Sequence, residues 1–172
     1  MPEDAFLLEL VDPDTGERLS VGERGELTVS PLLYEGTPLI RYQTDDVGTI
    51  IDEPCICGRT HNRVRVIGRE GQIMDVAGKK LMPWDIEGPL RSFPETEFSE
   101  FSLVRYSSEM DKIRIKMTYD EEITSDPTEL KERVERRIRE ELGVECEVEF
   151  CKSEDLPRLF WKVIRIIELQ KE

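Results

Sequence analysis

The sequence predicts an α+β fold in two parts. A β-rich subdomain is expected over residues 1–67, a hinge over 68–71, and a small domain with a mixed sheet flanked by helices over 72–172. Three observations carry this reading. The stretch 1–67 alternates apolar and polar positions in short runs and has no helical period. Leu130, Val134, Ile138 and Leu142 recur four apart and make one apolar stripe. The pattern changes character after Gly68-Arg69.

Each element has a local reason. Residues 5–11 read as a strand, closed by Asp12-Pro13-Asp14-Thr15-Gly16, whose proline presets φ and whose glycine tolerates positive φ. Residues 25–30 alternate and form a second strand, 39–42 a short third, 47–51 a fourth and 63–67 a fifth. Residues 72–76 and 79–81 suit a hairpin about Ala77-Gly78. A helix starts at Pro83, and Gly88-Pro89 is expected to interrupt or kink it. Strands follow at 98–106 and 112–119. The clearest helix runs over 127–142: Asp126 is its N-cap, Pro127 its first residue, Glu129 the partner in a capping box, and Gly143 its stop. Strands at 146–150 and 163–169 close the chain.

Composition excludes several functions. The 172 residues hold 24 Lys+Arg against 38 Asp+Glu, a formal net charge of −14. Such acidity argues against a phosphate-backbone footprint, so no nucleic-acid partner is expected, and no anionic membrane surface either. No apolar run approaches the roughly 18–20 residues that span a bilayer. Met1-Pro2-Glu3-Asp4 has neither the basic nor the apolar region of a secretory signal. Four cysteines are sparse for a disulfide scaffold, so a cytoplasmic location with reduced thiols is expected.

Four segments carry a resemblance. They are Pro38-Leu39-Ile40-Arg41-Tyr42-Gln43-Thr44-Asp45-Asp46, Cys55-Ile56-Cys57-Gly58-Arg59-Thr60-His61, Gly68-Arg69 with Gly78 and Pro83-Trp84-Asp85-Ile86-Glu87, and Leu156-Pro157-Arg158 with Lys162. In that order and spacing the chain resembles the C-terminal portion of phenylacetate–CoA ligase-type, adenylate-forming enzymes. The resemblance implies a reaction: a carboxylic acid and ATP give an acyl-adenylate and pyrophosphate, then coenzyme A takes the acyl group and AMP leaves. It implies ATP/AMP, coenzyme A and Mg²⁺ as the complete enzyme's cofactors. It also implies a C-terminal domain that rotates between the half-reactions.

The resemblance assigns roles residue by residue. Asp46 matches the aspartate that accepts from both ribose hydroxyls. Arg69 matches an arginine near ribose and phosphates, and Tyr42 and Thr44 share the nucleotide-binding segment. Lys162 matches the lysine that bridges the substrate carboxylate and the α-phosphate; a cation there offsets the repulsion of two anions and stabilises the charge that shifts as they react. Gly71 stands at the hinge where the family usually has an acidic residue, and Gln72 where it often has aspartate. Gln43 and Asp45 replace the usual arginine and glycine, and Leu159-Phe160-Trp161 replace a polar, glycine-containing approach to the lysine.

Cys55, Cys57 and His61 have the chemistry of Zn²⁺ ligands, with a fourth from Cys146, Cys151 or outside the chain; the alternative is a tight turn with unligated thiols. Cys146 and Cys151 read as core thiols. No Gly-rich phosphate cradle is present in the sequence. The expected partners are therefore an N-terminal nucleotide-binding part, in the same enzyme or a separate chain, and a carboxylic acid substrate. Without that part the chain is expected to be inactive. Two other readings stand beside the ligase: a non-catalytic binding or regulatory module that kept the fold, and a small zinc-stabilised structural protein.

Overall fold

The computed structural model describes residues 3–36, 38–106 and 109–169. The chain divides into two compact units, Met1–Gly71 and Gln72–Glu172.

The first unit is a four-stranded antiparallel sheet in the order β1 (Phe6–Val11), β2 (Gly25–Pro31), β3 (Tyr42–Ile51), β4 (Arg63–Arg69). Alternation places Leu10, Leu27 and Ile50 on one buried face, with Leu8, Leu19 and Val64 packed around them. The Asp12 carboxylate accepts from the amides of Asp14 and Thr15, at 3.0 and 2.8 Å, and shapes the turn after β1. The third and fourth strands expected from the sequence are one strand. It starts at Tyr42 because Arg41 has φ 50° and ties its amide to the Ser30 hydroxyl at 2.8 Å, which leaves residues 39–41 outside the ladder.

The second unit is α+β. Its main sheet has the order β10 (Glu145–Phe150), β9 (Lys112–Met117), β7 (Phe101–Arg105), β13 (Ile166–Glu168). The outer pairs are parallel and the central pair antiparallel, so the sheet is mixed, as the sequence predicts. A smaller sheet joins β6 (Lys79–Leu81), β5 (Met74–Val76) and β8 (Glu109–Met110). The β5–β6 turn has φ 51° at Ala77 and 78° at Gly78, the positive pair that lets a two-residue hairpin follow strand twist. One core unites Met74, Ile86, Leu90, Phe101, Ile115, Val134 and Ile138 with their neighbours.

Helix α2 (Pro127–Leu142) has the bounds its sequence predicts. The Asp126 carboxylate accepts from the Thr128 and Glu129 amides, so Glu129 contributes its N–H to the cap. Gly143 closes the helix at φ 63°, and the Lys79 ammonium donates to the Leu142 carbonyl at 2.8 Å. Helix α1 (Pro83–Leu90) runs through Gly88-Pro89, so the interruption expected there does not occur. Ile86, Pro89 and Leu90 are buried together, and that packing outweighs the hydrogen bond proline cannot make. The strand expected at 98–106 is shortened to β7 by a 3₁₀ turn, Pro94–Thr96, and its exposed exit at Phe98. The strand expected at 163–169 is split. β12 (Lys162–Val163) pairs with β11 (Arg158–Leu159), and β13 then joins the main sheet.

Candidate functional site

The Asp46 region is a bulge. Glu26 lies opposite Val47 and Thr28 opposite Gln43, so residues 44–46 face Leu27 alone. Within it Asp45 has φ 59°, a left-handed conformation in the place where the resemblance expects glycine. Glu26, only 2% exposed, holds the bulge from below. One of its carboxylate oxygens accepts the Asp45 amide at 3.1 Å and the other the Gln43 carboxamide at 2.9 Å. The Thr44 hydroxyl donates to the Leu27 carbonyl at 2.7 Å and accepts the Asp46 amide at 3.2 Å. Thr44 is thus a brace within the segment. Asp46 stands opposite Arg69 on β4, its carboxylate 3.3 Å from the Arg69 guanidinium. Tyr42 is half exposed and lines an apolar groove with Phe6, Val29, Tyr34 and Leu39. Glu26 was missed in the sequence; the only mark it leaves there is a carboxylate in an alternating strand, on a position that turns inward.

Lys162 sits on the β11–β12 hairpin. Arg158 faces Val163 and Leu159 faces Lys162, with Phe160-Trp161 as the turn. Phe160 has φ 57°, again left-handed where the resemblance has a glycine-containing approach. The base of the hairpin is anchored. The Arg158 guanidinium bonds the Ser153 hydroxyl and the Glu100 carboxylate, and reaches the Trp161 carbonyl at 3.3 Å. The Ile164 amide donates to the Pro157 carbonyl at 2.8 Å. Beyond it the Ser102 hydroxyl donates to the Ile164 carbonyl at 2.7 Å, tying the hairpin to β7. The Lys162 ammonium lies 4.8 Å over the Trp161 ring, and among the described residues it forms no ion pair. Leu159, Phe160 and Trp161 are 65%, 90% and 76% exposed, so the lysine is displayed on an apolar, solvent-facing tip.

Gly71 ends the first unit, inside a short 3₁₀ turn, Glu70–Gln72; a Cβ there would meet nothing within 4 Å. The cysteine segment brings together two of its three expected ligands. The Cys57 and Cys55 sulfurs are 3.0 Å apart, while His61 Nδ1 lies 3.4 Å from the Glu3 carboxylate. Among the described residues the one trio with ligand atoms within 4.8 Å of one another is Glu26, Asp45 and Glu70, not Cys55, Cys57 and His61. Glu26 in that trio is already hydrogen-bonded through both oxygens. Cys146 is buried and Cys151 half-buried, both as free thiols. Among the described residues no helix is long and apolar enough to cross a membrane.

Comparison with known proteins follows the same segments. The AMP-binding enzyme C-terminal domain family matches residues 78–170. A phenylacetate–coenzyme A ligase of Thermus thermophilus is 33% identical over 98% of this chain and 42% of its own length. The Escherichia coli phenylacetate–coenzyme A ligase is 26% identical over 98% of this chain and 39% of its own. The chain therefore spans about two fifths of these curated relatives. Among solved structures, a 2-hydroxyisobutyryl-CoA ligase in the postadenylation state superposes with a TM-score of 0.83 at 23% identity, covering 96% of this chain and 36% of that one. ATP-bound MatB from Rhodopseudomonas palustris superposes at 0.64 with 19% identity, covering 94% of this chain and 32% of that one. These two likenesses concern the fold. The family match extends over more than half of the chain and the ligases align along nearly all of it, so this protein belongs to the AMP-binding enzyme C-terminal domain family, on its phenylacetate–CoA ligase-like side.

Proposed function

We propose that the chain is the ribose-contacting and lysine-bearing part of an ATP-dependent, AMP-forming acyl- or aryl-CoA ligase, and that it acts with an N-terminal nucleotide-binding part. The observation that carries this reading is the Lys162 hairpin. It displays an ammonium without an acidic partner among the described residues, on a turn anchored through Arg158. In this reading Lys162 bridges the substrate carboxylate and the α-phosphate. The carboxylate oxygen attacks the α-phosphorus, the bond to the leaving oxygen breaks, and pyrophosphate departs with its electron pair. The ammonium offsets anion–anion repulsion on approach and stabilises the redistributed charge at the transition state. Its flexible stem suits a group delivered by a moving domain. ATP would enter as its Mg²⁺ complex, which would supply charge neutralisation at the phosphates.

Asp46 accepts from the ribose hydroxyls, and Arg69, which lies beside it, balances that carboxylate while facing the nucleotide. Gly71 is the residue about which the second unit turns before the coenzyme A thiol attacks the acyl carbonyl and AMP leaves. The two departures from family glycines support catalysis over a module that lost it. Asp45 and Phe160 keep positive φ, 59° and 57°, so the backbone that presents Asp46 and Lys162 has a glycine-like course. ATP–pyrophosphate exchange by the complete ligase, with and without Lys162→Ala, tests the reading.

A further inference from the structure

The CxC turn between β3 and β4 holds chemistry that acyl transfer does not use. The Cys57 thiol points at the Cys55 sulfur from 3.0 Å, and the Gly58 amide closes the turn on the Cys55 carbonyl at 2.9 Å. Gly58 makes that closure with φ 75°. In that contact the Cys57 thiol is the donor and the Cys55 sulfur the acceptor, which marks Cys55 as the sulfur whose lone pair is turned to attack. The pair opens onto a surface depression of about 700 Å³ lined also by Arg59, Thr60, His61 and Arg63. The remaining cysteines are the opposite case. Burial pushes the Cys146 thiol up to about 12, and burial, then Asp155 and Glu149, raises Cys151. Cys55 is half-buried and Cys57 exposed, and their sulfurs adjoin; Cys146 is buried and Cys151 half-buried, and each donates to a backbone carbonyl instead of facing a second sulfur.

We propose that Cys55 and Cys57 form a thiol–disulfide exchange site for small anionic disulfides, with Cys55 as the attacking sulfur and Cys57 as the resolving one. The Cys55 thiolate attacks one sulfur of the small disulfide. That S–S bond breaks and the first small thiol leaves with its electron pair. The Cys57 thiolate, its proton given to solvent, then attacks the Cys55 sulfur and expels the second small thiol. Two protein thiols are oxidised to one intramolecular disulfide and the small disulfide is reduced to two thiols. The exposed guanidinium of Arg59, which lines the depression with the two cysteines, selects carboxylate-bearing disulfides, while Arg63 is paired with Glu53 at 3.3 Å. The site is independent of the Lys162 chemistry, so its failure and that of the ligase reading are separable.

The test is exposure of the reduced chain to glutathione disulfide, followed by acid quench, alkylation under denaturing conditions and peptide mass mapping. The expected product lacks two hydrogens, links Cys55 to Cys57, leaves Cys146 and Cys151 alkylated, and is reversed by dithiothreitol. Cys57→Ser is expected to stop at a stable glutathione adduct on Cys55, and Cys55→Ser to react far more slowly. Arg59→Ala is expected to slow the glutathione reaction by at least about threefold and not to slow reaction with cystamine, a cationic disulfide that the arginine repels. Four alkylated cysteines after treatment would overturn the site. Equal adducts on both serine variants would overturn the assignment of attacking and resolving sulfur. Stoichiometric zinc on the purified chain that blocks oxidation would replace the exchange site with a metal site.

Discussion

Arg158 and Glu100 are joined across the base of the Lys162 hairpin, with the Ser153 hydroxyl bonded to both. The hairpin is thereby fixed to the edge of β7 rather than left as a loose turn. The Ser153 hydroxyl, and after it Arg158, holds the Glu100 carboxyl below the usual carboxylate range. Its stabilising contribution is therefore complete above the unfolded carboxylate value and is lost as pH falls through the folded one. The Tm difference between wild type and Glu100→Gln is expected to be positive at pH 7 and to shrink steadily below about pH 4. A difference that is constant from pH 7 to 3 would show that ionised Glu100 does not hold the hairpin.

Glu26 is the least visible part of the Asp46 region. Glu26→Ala strips partners from the Asp45 amide and the Gln43 carboxamide, whose bonds to the buried Glu26 are part-buried. It is expected to cost about 1–3 kcal/mol in urea unfolding of the first unit. In the complete ligase it is expected to raise KM for ATP more than it lowers kcat, and Glu26→Gln, which keeps an acceptor, should recover most of both.

Gly48 is expected to tolerate no side chain. A Cβ there would meet the Arg65 carbonyl at 2.5 Å and the Leu27 side chain at 2.9 Å. Gly48→Ala is expected to destabilise the first sheet by about 1–3 kcal/mol, read as faster amide exchange in β2, β3 and β4 with α2 unchanged.

Phe160 carries backbone strain at the hairpin tip. Phe160→Gly removes the steric cost of φ 57°, of order 1 kcal/mol, and adds chain entropy to the unfolded state. The Tm is expected to hold or rise slightly, and adenylation to persist, because Lys162 keeps its register with Leu159. A fall of several degrees would mean that the exposed ring contributes packing.

Local chemistry made some of this readable from sequence. Asp126, Pro127 and Gly143 mark α2 because capping acts within one turn, and its apolar period is uninterrupted. The Ala77-Gly78 hairpin is readable for the same reason. Misreadings arise where partners are distant. Pro89 stays helical because the core packs around it, and the strand expected at 163–169 divides because Val163 pairs with Arg158 while Ile166 pairs with Leu103. Asp46 and Lys162 are singled out by motif resemblance alone, whereas Glu26 binds a segment 17 to 19 residues away and leaves no local pattern. From sequence the Cys55–Cys57 pair fits metal ligands or an idle turn; only the geometry brings its sulfurs to 3.0 Å and leaves His61 with Glu3.

The most direct measurement is ATP–pyrophosphate exchange by the complete ligase carrying Lys162→Ala, alongside thioester formation from a supplied acyl-adenylate. The expected result is a loss of exchange of about a hundredfold or more, with thioester formation retained and the fold intact by circular dichroism. Undiminished exchange would contradict the role of Lys162 and leave the hairpin as a structural element alone.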